Sequence, residues 1–164
     1  MQKKYSLVET DFKMHLGVKL FRIKAEVTFK TIYGIVNAGD LGGYIEKEGN
    51  LYQYGNAWVS GNARVYGNAQ VYGNAWVSGN AQVSGNAQVS GNAELIWLSK
   101  IGSRLGTTTF FKTKAGISVA CGCYSGTLEE FEKKVKKTHG NNEHGKAYKL
   151  AIELAELRIK GEKE

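Results

Sequence analysis

Residues 55–96 repeat one six-residue phrase seven times, as GNAWVS, GNARVY, GNAQVY, GNAWVS, GNAQVS, GNAQVS and GNAELI, with nothing inserted between copies. A unit of six residues cannot bury its own apolar side chains, so a strict period this short folds by stacking unit on unit, as in a solenoid. In each copy the Ala and the aliphatic residue two places on, from Ala57 and Val59 to Ala93 and Leu95, fall on one side of an extended strand. The Trp, Arg, Gln or Glu between them falls on the other. Gly and Asn supply the corner: Gly takes positive φ without a Cβ clash, and Asn tolerates the left-handed region better than most residues.

This phrase resembles the hexapeptide repeat of left-handed parallel β-helices. The resemblance implies a mainly β fold with three faces per coil and eighteen residues per turn. Outward residues then form columns, with Trp58 under Trp76 and Glu94, Arg64 under Gln82, and Gln70 under Gln88. Stacked strands lie about 4.8 Å apart, which brings the two indoles into contact. Between Gly55 and Ala93 the only charged residue is Arg64, and so uncharged a face is expected to meet another protein. Helices of the resembled type commonly associate as trimers with parallel axes, so the resemblance implies a homotrimer.

The flanks are less regular. Residues 5–8 and 18–25 alternate as strands around a turn at His15-Leu-Gly17, and an open solenoid end needs cover for its strand edges. Residues 1–36 are therefore expected to form an N-terminal β cap. Stepping back by sixes from Val59 and Ala57 places Ile45 and Leu51 inside, but also Lys47 and Gln53, so residues 37–54 read as one irregular coil of a solenoid spanning 37–96. The wording Gly39-Asp-Leu-Gly-Gly-Tyr-Ile-Glu46, then Gly49-Asn-Leu, ahead of GNAxV repeats also resembles poorly characterised proteins of bacteriophages and prophages. That likeness implies expression in a bacterial cytoplasm and carries no established activity.

Beyond Ile96 the period breaks, and residues 97–106 read as an exit segment or linker. Residues 107–164 are expected to be a small α+β unit of two strands and two helices. The strands are 107–112 and 116–121. Thr127-Leu-Glu-Glu130 is a capping box opening a helix with Leu128, Phe131 and Val135 on its buried stripe. A second helix, from about 143 to 160, keeps Tyr148, Ala151, Ile152, Ala155 and Ile159 at apolar spacing.

The net charge of +7 is uneven: residues 43–106 have four Lys or Arg against three acids, whereas 107–164 have eleven against eight. The basic ends are compatible with an anionic partner. No apolar run is long enough to cross a bilayer and no signal-peptide core opens the chain, so a soluble protein without a membrane partner is expected. The two cysteines, Cys121 and Cys123, are too close for an ordinary disulfide framework and suit a reducing cytoplasm.

With His139 and His144 they make the one constellation of metal-ligand chemistry, and thiolate with imidazole suits zinc. Acyltransferases of the hexapeptide type place a general-base His at the solenoid wall beside an inserted loop. Here no His lies between His15 and His139 and no loop interrupts the repeats. A non-catalytic role is expected.

Two readings follow. In the first, the chain is a phage-type oligomeric binding protein that sequesters an anionic nucleotide signal or blocks a host defence protein. Arg64, Tyr66, Tyr72, Trp58 and Trp76 would stack and clamp a base and phosphate, and Lys133, Lys134, Lys136 and Lys137 would add charge. In the second, it is a trimeric rod that presents its C-terminal unit.

Overall fold

The computed structural model describes residues 1–91 and 94–159. The inward place expected for Ala93 falls outside the described residues, as do residues 160–164.

Two hairpins lead into the repeats. Strands β1 (Tyr5–His15) and β2 (Val18–Ala25) pair antiparallel around Leu16 and Gly17, both at positive φ. Strands β3 (Phe29–Thr31) and β4 (Gly34–Val36) form the second hairpin. Strand β5 (Leu41–Ile45) pairs antiparallel with β2 on one edge and parallel with the first coil of repeats on the other. A sheet thus grows without interruption from the N-terminal hairpin into the solenoid.

The repeats themselves form six two-residue strands, β6 (Trp58–Val59), β7 (Arg64–Val65), β8 (Gln70–Val71), β9 (Trp76–Val77), β10 (Gln82–Val83) and β11 (Gln88–Val89). They form three parallel pairs, each joining strands eighteen residues apart: Trp58 with Trp76, Arg64 with Gln82, Gln70 with Gln88. Trp58 N donates to Ala75 O at 3.0 Å, Arg64 N to Ala81 O at 2.9 Å and Gln70 N to Ala87 O at 2.9 Å, so one bonding rule serves all three columns. The corner glycines from Gly55 to Gly85 all sit at φ between 61° and 75°, where a side chain is strained. Ala57 to Ala87 and Val59 to Val89 are fully buried inside, each Val contributing roughly 1.5–2 kcal/mol by leaving water.

The first coil corrects the register reached by counting back in sixes. Ile45 lies beside Val65 and Leu51 beside Val71, each twenty residues apart rather than eighteen. Two extra residues therefore sit between Leu51 and Val59. Ile45 and Leu51 take the aliphatic inward place, and Lys47, at the solvent-exposed start of a 3-10 turn (Glu48–Asn50), never enters the core. Gln53 leaves it too: its Oε1 accepts from Lys4 N at 2.9 Å and its Nε2 donates to Tyr5 O at 3.2 Å. The surplus pushes Tyr52 and Tyr54 outward, both more than half exposed, with rings edge to face at 5.6 Å.

The C-terminal unit has four strands rather than two. The segment read as a linker is strand β12 (Leu95–Ile101), which pairs with β13 (Gly106–Thr113); β14 (Gly116–Cys121) and β15 (Tyr124–Thr127) complete an antiparallel sheet. The apolar run Leu95-Ile-Trp-Leu98 explains the difference, because it needs a partner and finds Phe111, Phe110, Thr109 and Thr108 opposite. Helices α1 (Leu128–His139) and α2 (Glu143–Ile159) follow, and the Thr127–Glu130 capping box is present. Adjacent phenylalanines on β13 face opposite ways. Phe111 packs into the solenoid core, and Phe110 packs with Phe131, Tyr148 and Ile152 beneath the helices. The sheet is thereby a wall shared by two cores.

Candidate ligand cavity

The Trp column is not an open aromatic face, contrary to the expectation from its outward position. Trp58 is 2% exposed and Phe29 meets its ring edge to face at 5.4 Å, while Tyr33 does the same to Trp76 at 5.6 Å. The β3–β4 hairpin supplies both lids. Gly42 lets β5 pass close under Trp58, since a Cβ there would come within 2.7 Å of the indole.

The Arg64 column is covered as well, which removes the expected base-and-phosphate clamp. Arg64 Nη1 donates to His15 Nδ1 at 3.0 Å, and burial, then the Arg64 charge, hold the His15 imidazole below its ordinary value. Tyr66 is buried, receives the edge of His15 and bonds through its hydroxyl to the Gln82 side chain. Gln82 in turn donates to Thr109 Oγ1 from its backbone and to Gly122 O from its side chain. Tyr72 is half-buried and stands apart from Arg64, lining a groove of about 660 Å³ with Tyr52, Tyr54 and Gln70.

Nor are the four C-terminal lysines one patch. Lys133 pairs with Glu129 at 3.0 Å. Lys136 lines a small cleft between the helices with Asn141 and Lys149, and Lys137 is exposed. Lys134 differs, because its Nζ lies over the Tyr124 ring at 4.7 Å from the centroid, on the rim of a cavity.

That cavity, of about 320 Å³, opens between the β12–β13 turn, the end of β14 and the inner face of α1. Ile101, Phe131, Val135 and Tyr148 make its apolar wall. Cys121, Cys123 and His139 also line it, so three of the four residues singled out for metal chemistry do converge. Among the described residues, however, no group of three or more His, Cys, Asp or Glu is placed to hold an ion. Cys121 Sγ accepts from Thr108 Oγ1 at 3.2 Å and lies 3.8 Å from Tyr148 Oη, whereas Cys123 is exposed. His139 stacks on Tyr148 at 5.7 Å, and His144 packs against His139 at 5.6 Å.

Arg104 is the lining residue that sequence reasoning missed, since it sits in a turn with no periodicity to mark it. Among the described residues neither Arg104 nor Lys134 belongs to an ion pair, and no carboxylate lines the cavity. The two larger grooves differ on that point, with Glu130 lining one and Glu48 the other. Tyr148 anchors the floor. Burial, followed by the Cys121 thiol, pushes its phenol up to about 12, so it stays a neutral hydroxyl at physiological pH. Gly102 makes room for it: φ is +81°, and a Cβ there would fall 2.0 Å from Tyr148 Oη. The site thus brings two cations, Arg104 and Lys134, and the aromatic faces of Tyr124, Phe131 and Tyr148 to one cavity.

Residues 57–69 and 69–85 match the family model of the YdcK beta solenoid repeat. The chain therefore carries β-solenoid repeats within a mainly β fold. No curated protein matches the sequence. Among the described residues no helix is long and apolar enough to cross a membrane.

Proposed function

We propose that this chain is a non-catalytic binding protein that holds a small anionic ligand with a flat ring, of the nucleotide class, in the C-terminal cavity. One observation carries the reading: two cations, Arg104 and Lys134, stand at the mouth of an apolar, aromatic-walled cavity that, among the described residues, no carboxylate lines. Phosphate would meet the cations, and a base would lie against Phe131, Tyr148 or Tyr124. Within this reading the solenoid is a left-handed, three-faced parallel β-helix of the hexapeptide type, capped by residues 1–36 and built as a trimeric carrier. Phage or prophage origin and sequestration of a host signal in the bacterial cytoplasm belong to the same proposal.

Isothermal titration calorimetry with a panel of mono- and dinucleotides tests it. At least one is expected to bind, and the double variant Arg104→Glu, Lys134→Glu is expected to weaken it by about tenfold or more, as loss of two charge-assisted contacts requires. Absence of binding across the panel, or binding that the double variant leaves unchanged, overturns the ligand class.

A further inference from the structure

Helix α2 has a second apolar stripe. Its first, formed by Tyr148, Ala151, Ile152 and Ala155, is buried against the C-terminal sheet and α1. The other comprises Leu150, Leu154 and Leu157, which are 67%, 40% and 70% exposed. With half-buried Ala147 they follow a 3-4-3 spacing, the a and d positions of two heptads. Three large leucines aligned in the open are unusual on a single-chain surface.

We infer that α2 packs in parallel against α2 of a second copy of this chain, along the seam Ala147, Leu150, Leu154 and Leu157. The spacing favours an identical partner, since a helix with a regular a/d stripe presents both the knobs and the holes that the same stripe requires. Charge sets the direction. In heptad terms Glu153 is a g position and Arg158 the e position of the following heptad. A parallel pair brings Glu153 of each helix beside Arg158 of the other, twice over by symmetry. Both side chains are exposed, and neither belongs to an ion pair among the described residues. The helix is already held by its buried face, so association does not have to order it first. This contact is independent of what the cavity binds.

Sedimentation velocity over a range of protein concentrations reads the outcome on the full chain. The native protein is expected to sediment as more than one chain, and Leu150→Glu, Leu157→Glu to shift it towards lower mass by weakening association about tenfold or more. Far-UV circular dichroism should be unchanged, because both leucines are exposed. Glu153→Arg and Arg158→Glu should each weaken association and together restore it. A native protein of single-chain mass at every concentration, or a leucine variant with native mass, overturns the inference. Failure of the paired charge reversal to restore mass overturns the parallel register.

Discussion

The repeats and the C-terminal unit solve the same problem, burial of apolar side chains, by opposite means. In the repeats every coil is built alike: a Val inward, an Ala beside the corner, a Gly at positive φ, and a neighbour eighteen residues away. In the C-terminal unit no two contacts are alike. Phe131 alone meets Phe110, Tyr124 and Tyr148, which come from three different elements. A lattice of equivalent coils buries every repeat Ala and Val from Ala57 to Val89 completely, whereas the core of unlike aromatic pieces borders a cavity. On the proposed reading, the ligand is held where regularity stops.

The comparison breaks most severely if a charge is set inside the lattice. Val71→Asp buries a carboxylate among alanines and valines with no partner and is expected to cost about 4–5 kcal/mol or more, abolishing the cooperative unfolding transition in denaturant. Gly102→Ala acts on the irregular side. Positive φ and the clash with Tyr148 Oη should together cost about 1–3 kcal/mol, and hydrogen exchange should accelerate around α1 and α2 while the repeats stay protected.

The smallest effect concerns the seam between the N-terminal hairpin and the repeats. Lys4 is buried, donates to Ala57 O at 2.9 Å, and has its pKa lowered to about 8 by burial. Between that value and the ordinary 10.5 the unfolded chain holds a proton that the folded chain lacks, so stability should rise as pH increases from about 8. Tyr5, whose phenol is pushed up first by burial and then by Glu48, works the other way above pH 10. A melting-temperature series is expected to rise from pH 8 to 10 and level off or fall beyond, and Lys4→Met should flatten the rise.

How far the sequence could be read follows the same division. The repeats were legible because each determinant lies within six residues: Trp58 pairs with Trp76 where the period places it. Their burial was not, because Phe29 and Tyr33 arrive from a hairpin some thirty to forty residues away in sequence. Counting by sixes failed at one point only, the two-residue surplus after Leu51, and that error put Lys47 and Gln53 in the core. In the C-terminal unit the helix boundaries and the buried stripe were readable from Thr127, Leu128, Phe131 and Val135. Strand β12 was not, since Leu95 to Leu98 looks like a ragged end until β13 stands beside it. Arg104 and Lys134 are thirty residues apart and become neighbours of one cavity only through folding. The exposed leucines of α2 were visible in the spacing, but one apolar stripe already accounted for the helix.

The surplus at residues 52–55 bears on how the chain finds a single arrangement. Near-identical coils are interchangeable: sliding the stack by one coil would exchange Val for Val and Gly for Gly with almost no energetic difference. Translational symmetry of that kind leaves folding degenerate. The irregular coil removes the degeneracy, because Gln53 bonds the backbone of Lys4 and Tyr5, and the Tyr5 hydroxyl bonds Glu48 O at 2.9 Å and Leu51 O at 2.6 Å, contacts that no regular coil offers. One odd coil gives the stack an origin, from which every later coil can be counted.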